Sequence, residues 1–380
     1  MEITVSKDSS VPLHTQLLNE VRHYILSGQW PPGSRIPSEL QLQQQLQISR
    51  STIRQALRAA QEGLIERVPG KGTFVARSLA DKSNSQLIGF VISEFRTTFE
   101  GQLLCGAENV TRARGYRIIF YRSKAEVSEE NRLLELLMQD RVGGIIIWPA
   151  LGGDEQSRVL FRLAAQGTPP LALMDRTFPN LECDCVLCDN YGGAYAATEH
   201  LIALGHRQIV FLSRPILQLL PIAERLRGYR QALLDAGLSP LPPLLVGIPD
   251  HEITAEYALR TYTDVNNQDV REIARYLESP QRATAIFTMN DLMALQVLSA
   301  ARLVGLRVPD DFSLVGFDDL DIVTQLEVPL TTVAQDPLAL GSRAAEMIIE
   351  RIEGYNGPAR QVVLPTQLMI RASTAPPSHS

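Results

Sequence analysis

Long apolar runs, cysteine, lysine and the signatures of common catalysis are all scarce in this chain, and each scarcity narrows what it can do. No stretch of eighteen apolar residues occurs, so nothing reads as a membrane span. The opening "MEITVSKDSS" has neither the basic nor the apolar region of a secretory signal, and the expected location is the cytoplasm, at the nucleoid. Four cysteines, Cys105, Cys183, Cys185 and Cys188, are too few and too clustered for a disulfide framework in 380 residues. Beyond residue 77 the only lysines are Lys82 and Lys124, which leaves a pyridoxal-phosphate enzyme without a well-placed Schiff-base lysine. No G-x-S-x-G, Walker A or dinucleotide fingerprint is present, so neither an enzyme nor a cofactor is expected.

What is present is ordinary globular composition, 45% hydrophobic and 21% charged, over a length that supports two or three cores. Charge is unevenly spread. The net charge is −6, but residues 1–77 carry nine Lys/Arg against six Asp/Glu, whereas the remainder carries 27 against 36. A small basic domain tied to a larger acidic one places contact with a polyanion in the first.

Leu13, Leu17, Val21 and Ile25 repeat at helical spacing until "SGQWPPGSR" breaks the pattern. Ser38 stands three residues before Gln41, a capping box that opens a short helix to about Leu46, and Ser49 opens a third. On the third, Ile53, Ala56, Leu57 and Ala60 share one face, while Arg50, Arg54 and Arg58 line another with Ser51, Thr52 and Gln55. Any solvated helix face can carry an arginine stripe; one docked on two further helices can present its guanidinium forks to base edges or phosphates. "GLIERVPGKGTFVA" then reads as a hairpin tipped by Gly70, Lys71 and Gly72.

The texts "PLHTQLLNEVRHYILSGQWPPGSRIPSE", "ISRSTIRQALRAAQEGLI" and "GKGTFVA" resemble the winged helix-turn-helix of the GntR family of bacterial regulators, across residues 11–77. The resemblance implies that Arg35, Ser38 and Glu39 lie beside the DNA backbone and that Arg50, Ser51, Thr52 and Arg54 enter the groove, with Gln55 on the same face. It makes Gly70, Lys71 and Gly72 the wing. Gln47 departs from the pattern, since family members often carry glycine in the turn between the second and third helices.

Residues 78–86 read as a polar linker, and residues 87–380 as an α/β region of parallel sheets in two lobes. Eight apolar strands, from "LIGFVIS" to "FSLVGFD", are separated by amphipathic stretches. Polar residues stand at strand ends, where such sheets bind ligands: Asp175, Asp189 with Asn190, Asn290 with Asp291, and Asp318 with Asp319. Arg225 opens a helix. Converging carboxylates, an amide and a guanidinium suit vicinal hydroxyls, although Asp and Asn at these positions also cap helices.

"LCDNYGGAYAATEHLIALGHRQIVFLS", "ERLRGYRQALLDAGL", "AIFTMNDLMALQVLSAARLVGLRVPDDFSLVGFDD" and "PLTTVAQDPLALGSRAAEMIIERI" resemble the effector domain of LacI-family regulators, which is similar to periplasmic sugar-binding proteins. That resemblance makes Asp175, Asp189, Arg225, Asn290 and Asp318 ligand contacts, adds Phe95 or Phe99 from "SEFRTTF" as a stacking wall, and gives His206 a structural place. "CDCVLC" sends Cys183 and Cys185 to one face of a strand and Cys188 to the other, which reads as small buried hydrophobes rather than a metal site. The expected protein is a homodimeric repressor that binds a pseudo-palindromic DNA operator and answers to a small-molecule effector, a sugar. A purine or nucleoside effector and an activator are the alternatives.

Overall fold

The computed structural model describes residues 5, 11–26, 29–31, 33–60, 64–68, 72–75, 84–150, 157–178, 180–248 and 267–378. The chain divides into two compact units, Met1–Ser85 and Gln86–Ser380.

In the first unit, helices α1 (Leu13–Leu26), α2 (Glu39–Leu46) and α3 (Arg50–Ala60) precede an antiparallel pair, β1 (Ile65–Val68) and β2 (Gly72–Val75). Leu17 and Val21 of α1, Leu42 of α2, Ile53 and Ala56 of α3 and Val75 of β2 meet in one core. The periodicity of α1 and α3 thus becomes a packed interior, while the polar face of α3 stays in water.

The second unit begins with β3 (Asn84–Ile92), which starts inside the stretch read as linker: residues 84–86 extend the strand ahead of Leu87, the first residue paired with β4. There follow α4 (Thr98–Ala113), β4 (Arg117–Arg122), α5 (Val127–Gln139), β5 (Val142–Ile147), α6 (Arg158–Gln166), β6 (Leu171–Met174) and β7 (Asp184–Cys188). After these come α7 (Asn190–Ala203), β8 (Ile209–Ser213), α8 (Leu220–Asp235), β9 (Leu244–Leu245), α9 (Gln268–Leu277), β10 (Ala285–Thr288), α10 (Asp291–Val304) and β11 (Ser313–Asp318). The chain finishes with β12 (Thr331–Ala334), α11 (Pro337–Ile352), β13 (Gln361–Leu364) and β14 (Gln367–Met369).

These strands form two six-stranded sheets, β13-β7-β6-β5-β3-β4 and β14-β12-β11-β10-β8-β9, in which β14 runs antiparallel to β12. The architecture is α/β, with parallel pairings through each sheet. The two lobes are not successive halves of sequence. The chain leaves the first lobe after β7, returns to it after β12, and leaves again after β13, so residues 189–190, 335–336 and 365–366 are crossovers between lobes.

The second crossover returns α11 to pack on α4. Gly106 and Gly341 permit that approach: a Cβ on the first would lie 2.0 Å from the Leu338 carbonyl oxygen, and one on the second 1.9 Å from that of Leu103.

Candidate functional site

In the first unit the candidate residues gather around Glu39. Ser38 caps α2 reciprocally with Gln41: the Gln41 N–H donates to Ser38 Oγ at 3.3 Å and the Ser38 N–H to Gln41 Oε1 at 2.8 Å. The Glu39 carboxylate accepts from Arg54 Nε at 3.1 Å and Arg50 Nε at 3.4 Å, and Arg67 of β1 lies 3.8 Å away. Partial burial acts to raise the pKa of Glu39, but the hydrogen bonds and charges of Arg54 and Arg50 outweigh it and hold the carboxyl below its ordinary value. One acid therefore orients two arginines of α3 whose own side chains are mostly exposed.

Ser51 and Gln55 are exposed beside them, and Thr52 is half-buried, its N–H donating to Ser49 Oγ at 3.1 Å. Arg35 forms a backbone bridge to Phe74, and its guanidinium occupies the space above Gly72, where a Cβ would meet Arg35 Nε at 2.9 Å. Gly72 has φ +120, the conformation that favours glycine, and its missing side chain leaves room for the Arg35 guanidinium. Gly70 and Lys71 lie outside the described residues, as does the Arg58 side chain.

The second unit encloses a cavity of about 140 Å³ between its lobes. Arg96, Thr97, Phe99, Trp148, Asp175 and Arg176 face it from the first lobe; Arg214, Arg225, Met289, Asn290 and Asp318 face it from the second, with Gln335 at a crossover. Asp175 and Asp318 sit on left-handed backbone, φ 64 and 115, in which non-glycine residues are strained. Arg225 organises the second wall. Its Nε donates to Asn190 Oδ1 at 2.8 Å, Nη1 to the Met289 carbonyl and Nη2 to Asp318 Oδ1 at 3.5 Å, and the guanidinium stacks 3.6 Å over the Phe317 ring.

Gln335 Nε2 donates to Asp318 Oδ1 at 2.7 Å. Burial, helped by the charges of Asp175 and Glu100, pushes the Asp318 carboxyl up to about 6 against the opposing pull of Arg225 and Gln335. Behind it, fully buried Asp291 braces the turn by accepting from the Leu320 N–H at 2.8 Å and the Thr332 hydroxyl at 2.6 Å.

Phe99, Asp175, Arg225, Asn290 and Asp318 come together at this cavity, and Asn290 also caps α10 by accepting from the Met293 N–H at 3.0 Å. Asp189 and Phe95 are not among the lining residues. Asp189 sits in the first crossover, where it caps α7 by accepting from the Gly192 N–H at 2.7 Å and its carbonyl accepts from Thr366 Oγ1. Its neighbour Asn190 reaches the site indirectly, through Arg225. Phe95 is exposed and meets Phe120 edge to face, whereas Phe99, in the first turn of α4, meets Trp148 at 5.8 Å.

Sequence reasoning missed Trp148, Arg176 and Gln335. The first two carried a legible signal, since both follow apolar strand residues as Asp175 does; Gln335 follows β12, half of which is threonine and gives no apolar run.

Cys185 and Cys188 are buried and Cys183 half-buried. Burial first, then neighbouring acidic groups, pushes Cys183 up to about 12 and Cys185 to about 11, and Cys188 rises too, so all three stay protonated. Among the described residues no group of three or more His, Cys, Asp or Glu is arranged to hold a metal. His206 is buried, with Nδ1 2.9 Å from Thr284 Oγ1 and Nε2 3.0 Å from Ser313 Oγ and 2.9 Å from the Ala375 carbonyl, which ties the C-terminal segment to the second sheet.

Residues 13–75 match the family described as "Bacterial regulatory proteins, gntR family", and residues 198–374 match the "Periplasmic binding protein-like domain". An arabinose metabolism transcriptional repressor of Geobacillus stearothermophilus is 32% identical over 378 residues, covering 97% of this chain and 99% of the relative. The chain belongs to the arabinose-repressor family. Within that family the DNA-reading part is of GntR type and the effector part has a LacI-like fold. The ribose operon repressor of Escherichia coli (strain K12) is 30% identical over 84% of this chain and 92% of its own. A solved complex of the transcriptional regulator CelR with cellobiose superimposes with a TM-score of 0.64 at 28% identity, covering 86% of this chain and 92% of that one. Members of the arabinose-repressor family are transcriptional repressors, and the cavity between the lobes is this member's candidate effector site.

Proposed function

We propose that this protein is a cytoplasmic repressor of carbohydrate-utilisation genes that binds a pseudo-palindromic operator as a homodimer and releases it when a sugar fills the cavity of the second unit. The cluster of Asp175, Arg225, Asn290 and Asp318 carries the reading. Two carboxylates supply acceptors, the guanidinium and amide supply donors, and adjacent hydroxyls of one ring can bridge between them. The cavity of about 140 Å³ is close to the ~150 Å³ that admits a benzene ring, so it suits a single sugar ring.

A purine is less well served. It needs flanking aromatic faces, and the pair available, Phe99 and Trp148, meets at 60°. Arg50 and Arg54 are assigned to the major groove, Ser51, Thr52 and Gln55 to its edge, Arg35, Ser38 and Glu39 to the backbone, and Gly70, Lys71 and Gly72 to the wing. No reaction is assigned to the cavity. The test is fluorescence anisotropy of the full chain on DNA from its own upstream region at physiological salt, which governs such affinities. Nanomolar binding weakened by one sugar is the expected result; no specific binding, or binding indifferent to every sugar, overturns the corresponding half of the reading.

A further inference from the structure

The cavity has a second compartment of about 60 Å³, lined by Ser93, Glu94, Arg96, Glu100, Ala125, Trp148 and Arg176. Arg96, Glu100, Trp148 and Arg176 line both compartments and form the wall between them. Three of the four cavity arginines have a carboxylate of their own: Arg176 with Asp175 at 3.6 Å, Arg214 with Asp269 at 3.2 Å and Arg225 with Asp318 at 3.5 Å. Arg96 is the fourth. Among the described residues it has no carboxylate within 4.0 Å, and its Nε is buried without a hydrogen-bond partner.

The Trp148 Nε1–H, on the same wall, is also buried without one among the described residues. The acids nearby are engaged elsewhere. Glu100 Oε2 accepts from the Thr97 N–H at 2.8 Å and its hydroxyl at 2.7 Å, and Glu94 faces Arg122 at 3.9 Å. The wall therefore holds two donors that nothing among the described residues satisfies, one of them cationic, beside a compartment too small for a second ring.

We infer that the effector is an anionic sugar derivative whose carboxylate or phosphate is received by Arg96 and the Trp148 N–H at the wall between the two compartments. The inference rests on the sugar reading above and narrows it. An anion supplies both the missing charge partner and the missing acceptor, whereas a neutral hydroxyl supplies only the acceptor.

Calorimetric titration of the full chain tests this, using ribose, ribonate and ribose 5-phosphate and the same three forms of arabinose, on wild type and Arg96→Gln. In wild type an anionic form is expected to bind roughly tenfold or more tighter than its neutral parent, as a charge-assisted hydrogen bond implies. The variant is expected to erase that difference, so that an anionic form binds it no tighter than its neutral parent does; whether ribonate or the phosphate wins on wild type identifies the anion. Neutral sugars that bind wild type as tightly as their anionic forms overturn this inference and leave the sugar reading standing. Failure of all six compounds to bind overturns both.

Discussion

Two carboxyls with displaced pKa values have opposite roles. Asp318 is held among Arg225, Gln335 and the strained backbone at the end of β11, a placement that supports its proposed part in binding effector. Asp318→Asn keeps the shape but removes the charge-assisted acceptor, and effector affinity is expected to fall roughly tenfold to a hundredfold, by about 1.4–2.7 kcal/mol. Operator affinity without effector should not change; calorimetry and anisotropy on one preparation measure the two. Glu130 of α5 serves the fold. Its Oε2 accepts from the Ala150 N–H at 2.6 Å, just beyond Trp148, in a buried site where Oε1 has no hydrogen-bond partner among the described residues. Burial raises its pKa to about 7, against the Ala150 and Ser157 hydrogen bonds and the charge of Arg176.

An acid whose pKa is higher folded than unfolded favours the fold at low pH. Its contribution is complete below the ordinary value of 4.5 and is lost as pH rises through 7. Glu130→Gln removes that dependence, so denaturant melts of the variant should gain on wild type between pH 5 and 8, by roughly 3 kcal/mol at most. A constant difference across that range would show that Glu130 keeps an ordinary pKa in the fold. The residue scale also marks what sequence could not separate. Asp175 and Asp189 both end a strand and precede a polar turn, and capping and ligation draw on the same residue types. Only the topology distinguishes them: the helix after Asp189 joins the other lobe, so its carboxylate is committed to the crossover.

At the scale of elements, apolar runs and helical spacing were enough to find β3 to β8, β10, β11 and the three helices of the first unit; most of these strands are buried along their length, while β4 was read from its apolar run alone and α2 from its capping box. Strand β9 spans two residues, Thr331 and Thr332 interrupt β12, and β13 and β14 keep no fully buried position at the sheet edges, so none offered a clear apolar run to read. The turn between α2 and α3 was legible in sequence and is now concrete. Gln47 takes the left-handed conformation, φ 50 and ψ 40, with its N–H donating to the Gln43 carbonyl. A side chain there costs roughly 1 kcal/mol, part of which the extra freedom of an unfolded glycine returns. Gln47→Gly is therefore expected to slow native-state hydrogen exchange in α3 by up to about fivefold. On α3 itself, Arg54→Ala should cost operator binding about 1–3 kcal/mol and flatten sequence preference, read by anisotropy on operator and scrambled DNA, while effector isotherms stay as in wild type.

At the scale of the whole molecule the charge distribution separates the tasks. The nine basic and six acidic residues of the first 77 favour DNA, whereas the excess of acids beyond them disfavours wrapping it, which leaves the phosphate contacts to the first unit. A repressor made this way works only if its two ligands are linked, and linkage is reciprocal. If effector weakens operator binding tenfold to a hundredfold, the coupling is about 1.4–2.7 kcal/mol, and saturating operator must weaken effector binding by the same factor. That second measurement is calorimetric titration of the protein–operator complex with the effector. A matching factor is the expected result. An unchanged effector affinity in the presence of operator would mean that the two sites are not coupled, and that filling the cavity is not what releases DNA.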